Sequence, residues 1–253
     1  MNPLVLTLLE GLPLVKEGDD LSALILGALA RQKIELQSSD IVVLAQKVVS
    51  KAEGRVRKLA NVKVSKEAKD LAATTQKDPR IVQLILDESK EVIRARPNLL
   101  IVEHKLGFIC ANAGIDHSNV EGKDGEQVLL LPEDPDASAR RIRAALEKAS
   151  GARLGVLIID SHGRAWREGV EGVTIGLSGL PGVVDLRGRY DLVGRQLKVT
   201  TVGAADELAA AASLAMGQAA EGTPAVHVHG FPYPMRDGSL RELIRLKERD
   251  AFR

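Results

Sequence analysis

Cysteine occurs once, at Cys110, so neither an intrachain disulfide nor a thiolate zinc cage is open to this chain. Phe, Tyr and Trp together reach 2% of 253 residues, too few for the stacking platforms of single-strand nucleic-acid binders. Charge of neither sign is in surplus. With 35 Lys and Arg against 34 Asp and Glu, no global field draws the protein to nucleic acid or to an anionic membrane. No apolar run approaches the roughly 20 residues that span a bilayer. Met1-Asn2-Pro3-Leu4 lacks the basic stretch and apolar core of a secretion signal. A cytoplasmic protein with neither membrane nor nucleic-acid partners is the expectation. Also missing are the P-loop pattern Gly-x-x-x-x-Gly-Lys-Ser/Thr, the dinucleotide turn Gly-x-Gly-x-x-Gly and any Ser-His-Asp motif.

What is present suffices for a real core: 45% of residues are hydrophobic and 27% charged, ordinary for a globular protein. Asp19 or Asp20 caps a helix with apolar positions Leu21, Leu24, Ile25 and Ala28. Asp40 to Ala45 reads as a buried strand. Ser65 and Asp78-Pro79 open two further helices, and runs at 99–102 and 107–111 read as a hairpin. Asp134-Pro135 starts a helix through Ala149, followed by the strand 154–159 ending at Asp160. Gly176, Gly179 and Gly182 suggest a flexible loop, and Leu197 to Val202 another strand. Asp206-Glu207 lead an apolar helix to Met216, stopped by Gly217, and 225–228 is a last strand. The charged tail 236–253 reads as peripheral. This mixed order predicts an α+β fold, with mixed sheets, packed helices and two interleaved lobes.

Several polar residues stand where such elements end. Asp160, with Ser161-His162-Gly163-Arg164, offers metal ligands and a phosphate clamp, or else a turn cap. Asp116 follows Asn112-Ala113-Gly114-Ile115 and precedes His117-Ser118-Asn119, which suits either a ligand site or an Asx-type turn. Gln218 follows the helix stop, where free carbonyls and an amide oxygen could face a cation, or where it is simply exposed. Ser50-Lys51-Ala52-Glu53-Gly54-Arg55 offers a hydroxyl and two cations to phosphate, or is a solvated basic loop. His227 and His229 share a strand face without a third soft ligand, so they read as structural or substrate-facing. Cys110, in an apolar run, reads as a buried structural thiol.

Taken in order, these segments resemble one family. Gly11-Leu12-Pro13-Leu14-Val15, Val49 to Arg55, Asn112 to Asn119, Asp160 to Arg164 and Met216-Gly217-Gln218 are similar to the coenzyme F420-0:L-glutamate ligases, over about residues 10–230. The resemblance implies GTP-driven ligation of L-glutamate onto a deazaflavin F420 precursor, and further γ-linked glutamates after it. It implies two divalent ions (Mg²⁺ or Mn²⁺, with K⁺ as a further candidate) and a homodimer. Asp116, Asp160, Ser161 and Gln218 would bind metal. Leu12, Pro13, Leu14, Val15, Gln46, Lys47, Lys51 and Asn119 would contact GTP. So would the loop from Met216 through Gly217, Gln218, Ala219, Ala220, Glu221, Gly222 and Thr223 to Pro224. Asp116, Asp160 and Lys51 would carry the chemistry, with Arg164 a further candidate for phosphate charge by position. Ser161 stands where the family often has Thr, Gln218 where Glu can occur, and Gln46-Lys47 in place of a small hydroxylated pair. The whole of 1–253 is expected to form one catalytic unit, without the C-terminal flavin-binding domain of some bacterial relatives. Two alternatives stay open: a carboxylate–amine ligase with another acceptor, and a catalytically silent nucleotide- or deazaflavin-binding protein.

Overall fold

The computed structural model describes residues 3–116 and 126–251. Its centre is a five-stranded mixed sheet, and the sequence explains which strand lies where. In Ile41–Ala45 (β2) and the first half of Gly155–Arg164 (β8), nearly every residue is apolar and buried, the mark of parallel strands covered on both faces. These two strands pair in parallel at the middle of the sheet. Val5–Leu8 (β1) and Ala225–His229 (β12) extend it antiparallel on one side, and Arg167–Ser178 (β9) on the other, in the order β1-β12-β2-β8-β9.

Strand alternation sorts the core into two layers. Val42, Leu44, Val156 and Ile158 point to one face, against Leu21–Arg31 (α1), Gln46–Ala52 (α2) and Pro135–Ser150 (α5). Ile41, Val43, Leu157 and Ile159 point to the other, against the small residues of Ala204–Met216 (α6). Aspartates begin the helices as expected: Asp20 Oδ1 accepts from Ser22 N at 2.9 Å, and Asp134 Oδ1 from Ala137 N at 2.9 Å.

Between α2 and α5 the chain builds a second group of elements. Lys66–Thr75 (α3) and Pro79–Asp87 (α4) pack on the sheet of Ser89–Arg96 (β4), Leu99–His104 (β5) and Ile109–Ala111 (β6). Val56–Lys58 (β3) pairs with Gln127–Leu129 (β7) beside it. Arg55 ties the exit and return of this insertion together. Its Nη2 lies 2.6 Å from Glu88 Oε2 and its Nε donates to Leu131 O at 2.7 Å, both within a largely buried setting. The α+β expectation with mixed sheets agrees with this architecture.

Four local expectations are corrected. The strand after Leu154 does not end at Asp160, because β9 pairs with it through Arg164. Gly176 lies inside β9 rather than in a loop. A Cβ there would collide with Pro135, so its absence lets α5 cross close to the strand. Of Leu197–Val202 only Thr201–Val202 (β11) is extended, paired with Val184–Asp185 (β10). The tail is no loose appendage: Leu240 is buried, and its N–H donates to Asp136 Oδ2 at 3.0 Å. Glu242 Oε2 accepts from Gly182 N and Val183 N, each at 3.1 Å. Among the described residues, no helix is long and apolar enough to cross a membrane.

Candidate active site

β2 stops at Ala45, opposite Ile159, while β8 runs on. Past that point β8 has one unpaired edge, and the space beside it forms a cavity of about 240 Å³ at the carboxyl end of β2 and beside the middle of β8. Ligands of open sheets collect at such positions. Four stretches line it: the loop 12–15, the start of α2, residues 159–161 and the α6 exit from Ser213 to Pro224.

Most of the residues singled out from the sequence meet here. Leu12, Pro13, Leu14, Val15, Gln46, Lys47, Lys51, Asp160 and Ser161 line the cavity, as do Met216, Gly217, Gln218, Ala219, Glu221, Gly222 and Thr223. Ala220 does not. Asp116 stands outside the lining but is joined to it: Lys47 Nζ lies 2.6 Å from Asp116 Oδ2. The Asp116 backbone pairs with Leu129 and its carboxylate reaches across to α2. Asn119 lies outside the described residues.

The structure also removes candidates. Ser50 is fully buried and donates to Gln46 Oε1 at 2.8 Å, and Arg55 is spent on Glu88, so neither presents itself to phosphate. Of that basic segment, Lys51 alone lines the cavity. Arg164 pairs with Glu171 on β9 and is absent from the lining. His227 Nε2 and His229 Nδ1 lie 2.8 and 2.7 Å from the two oxygens of Asp40, a buried carboxylate, and neither lines the cavity.

The phase of β8 fixes how the site is built. Asp160 continues the face of Val156 and Ile158, and Ser161 continues the face of Leu157 and Ile159. Ser161 thus meets α6, where its Oγ donates to Gln218 Oε1 at 2.8 Å, and Gln218 Nε2 donates to Ser213 Oγ at 2.7 Å. Gly217 adopts φ +76°, and a side chain there would collide with Glu221, so the helix exit that presents Gln218 requires glycine.

Asp160 turns the other way. Its Oδ2 lies 3.0 Å from His162 Nε2. His162 leans on Phe108 at 5.4 Å between ring centroids, and Phe108 stacks on His104 at 5.2 Å. Burial holds His104 down to about 4, so it is neutral; its Nδ1 accepts from Leu106 N at 3.0 Å, leaving the proton on Nε2. Burial, with the charge of Asp160 behind it, pushes the Cys110 thiol up to about 12. Cys110 is thus the inert buried thiol expected of it. Sequence reasoning misses the part played by His162, although period two from Asp160 marks it as sharing that carboxylate's face.

The donors suit a hard cation. Asp160, Ser161 and Gln218 offer a carboxylate, a hydroxyl and an amide oxygen. The 2.8 Å between Ser161 Oγ and Gln218 Oε1 matches adjacent corners of a magnesium octahedron, about 2.9 Å for bonds of 2.0–2.1 Å. Among the described residues, no three His, Cys, Asp or Glu side chains converge as a self-contained metal cage. Such a site would draw the rest of its ligands from an anionic substrate, the usual habit of Mg²⁺.

Residues 11–230 match the family described as F420-0:Gamma-glutamyl ligase. A protein named coenzyme F420:L-glutamate ligase from Methanothermobacter thermautotrophicus is 49% identical over 246 residues, which cover 96% of each chain. Its namesake from Methanocaldococcus jannaschii is 45% identical over 242 residues, covering 96% of this chain and 94% of the relative. A third, from Archaeoglobus fulgidus, is 45% identical over 244 residues with the same coverage.

Proposed function

The chain belongs to the F420-0:gamma-glutamyl ligase family, and we propose that it joins L-glutamate to coenzyme F420-0 using GTP and divalent metal. One observation carries the reading. Hard oxygen donors and two lysines from chain segments far apart in sequence share one cavity at the carboxyl end of β2, beside the middle of β8.

A carboxylate and an amine do not condense in water without activation. In this reading a carboxylate oxygen of the acceptor attacks the γ-phosphorus of GTP, GDP departs, and an acyl phosphate forms. The amine of glutamate then attacks the acyl carbon, loses a proton, and phosphate leaves with the acceptor's oxygen. Divalent metal, when bound, would neutralise the triphosphate and the charge that builds on the transferred oxygens. Asp160, Ser161 and Gln218 would hold it, with Asp116 exchanging Lys47 for a second ion. Lys51, and Lys47 once released, would face phosphate oxygens. His162 would orient the Asp160 carboxylate as an outer partner does in many metal sites. The loop 12–15 and the α6 exit would clasp the nucleotide. As the family resemblance implies, further γ-linked glutamates and a homodimer belong to the same reading.

Incubation with F420-0, L-glutamate, GTP and Mg²⁺ or Mn²⁺, followed by mass spectrometry, tests it. The expected product is F420-0 heavier by one or more glutamyl residues, with GDP formed alongside. An unchanged acceptor would sink the proposal, and amide formation without GDP would remove GTP from it.

A further inference from the structure

Residues 184–202 form an arm whose two limbs stay paired beyond β10 and β11. Gly188 N donates to Leu197 O at 2.8 Å and Asp191 N to Arg195 O at 2.9 Å. Asp191 fastens the tip, its Oδ1 accepting from Val193 N at 2.9 Å and Arg195 N at 2.8 Å. Yet Tyr190, Leu192, Val193 and Val199 on this ordered hairpin are each at least 70% exposed. One exposed apolar side chain is ordinary, but four on one arm mark a surface made for a partner. Beside them the Arg195 guanidinium makes no hydrogen bond or ion pair among the described residues.

Geometry and charge point to a second copy of this chain as that partner. The arm returns through β11 to Gly203, at the start of α6, whereas the Asp160 cavity lies at the α6 exit, about 20 Å along the helix. No residue of the arm lines that cavity. The outward face of α6 carries Glu207, Ala210, Ala211 and Leu214, with small residues at its centre and Leu214 largely exposed. A second helix can approach such a face closely. Two copies of α6 paired antiparallel about a two-fold axis would set the arm base of each beside the cavity of the other. In charge, the cavity lacks a guanidinium of its own: Arg55 and Arg164 are committed to Glu88 and Glu171, and Lys47 and Lys51 supply its cations. The arm brings Arg189, Arg195 and Lys198, while exposed Glu221 stands at the cavity.

We propose that each arm of a two-fold dimer folds over the partner's cavity and delivers Arg195 to the phosphate oxygens of the GTP bound there. Leu192 and Val193 would rest on the partner's Leu14, a cavity-lining residue that is itself largely exposed. A guanidinium fork matches phosphate oxygens, and an arginine supplied from a neighbouring chain can stabilise phosphoryl transfer. This rests on the ligase reading and names the residue that crosses between copies.

Combining two disabled variants tests it. Arg195→Ala should stay dimeric in sedimentation yet extend F420-0 about a thousandfold more slowly. Asp160→Asn and Arg195→Ala are then co-expressed with different tags and the mixed dimer is isolated. One of its two sites joins the intact Asp160 of one chain to the intact Arg195 of the other, so about half the unmodified rate should return. Leu192→Asp, on an exposed position, should shift the protein toward monomer and lower turnover. If the unmodified enzyme extends F420-0 but the mixed dimer regains nothing, or the unmodified protein sediments as a monomer, the inference falls and the ligase reading stands. If the unmodified enzyme leaves F420-0 unextended, the ligase reading falls and takes the role of Arg195 with it. Sedimentation of Leu192→Asp still decides the arm contact in that case, and an undiminished dimer would overturn it.

Discussion

Lys47 Nζ rests 2.6 Å from Asp116 Oδ2, so a lysine in the first turn of α2 balances a carboxylate supplied by the inserted lobe. Both side chains are about a third exposed or a little less, which limits such a pair to about 1 kcal/mol of stability. An arrangement so weakly held is suited to exchange, the ammonium giving way when a stronger cation arrives with its anion. Asp116→Asn and Asp160→Asn keep shape and remove charge. Each should lose most turnover while its circular dichroism spectrum and melting temperature stay near those of the unmodified protein. Full rates in either variant would reduce that carboxylate to a structural role.

The donors around Ser161 and Gln218 are oxygens without a thiolate, which fits a hard divalent ion. Exhaustive treatment with EDTA should abolish amide formation, and Mg²⁺ or Mn²⁺ should restore it. Because Gln218 brings no charge, metal affinity should be weak without nucleotide and rise when GTP is present, measurable by titrating Mn²⁺ against its paramagnetic signal. Full turnover after metal removal would end this account.

His104 gives the fold a pH dependence of known sign. Its folded-state value is held down to about 4 by burial, against 6.5 for the free side chain. Above 6.5 both states are neutral and its contribution is fully present. Between 6.5 and about 4 the unfolded chain takes up a proton that the folded chain refuses, so stability declines as the pH falls. Melting temperature should drop across that window. His104→Phe, which keeps a ring on Phe108, should flatten the drop, and an unaltered slope would assign it to other groups.

The parts of this fold governed by local rules are legible in the sequence. Asp20, Asp78 and Asp134 announce helices because a carboxylate before the first turn answers free N–H groups. The runs 41–45 and 154–159 announce central strands because only a two-sided cover keeps every position apolar. What stays hidden depends on distant partners. Asp160 reads as a strand end because polar residues follow it, yet β9 supplies a ladder through Arg164. Gly176 reads as a loop because nothing local shows that Pro135 lies against it. In the site, Lys51 and Arg55 look alike on paper, and burial beside Glu88 alone separates them.

The same dependence on distant partners makes Asp40 a test of stability apart from catalysis. It is 1% exposed, and His227 and His229 reach its two oxygens from the neighbouring strand. Asp40→Ala would leave both imidazoles and the Gln37 N–H without their partner. Leaving buried polar groups without their acceptor costs about 1–3 kcal/mol, which urea denaturation should report. Added zinc should give no rescue. A variant as stable as the unmodified protein would mean that the three side chains are not coupled.

The decisive test of mechanism follows one oxygen atom. If GTP activates the acceptor, a bond forms between the γ-phosphorus and a carboxylate oxygen, and that oxygen leaves with phosphate when the amine attacks. Were GTP hydrolysis only to drive a change of shape, the carboxylate would stay unphosphorylated and its oxygen would depart as water. The two routes give the same amide, the same GDP and the same stoichiometry, so rates cannot tell them apart. With heavy oxygen in the F420-0 carboxylate, the acyl phosphate route sends one labelled atom into phosphate for each amide formed. Mass spectrometry of phosphate from a single turnover reads the answer. Phosphate without label would exclude the acyl phosphate, and the roles of Asp116 and Asp160 in phosphoryl transfer would go with it.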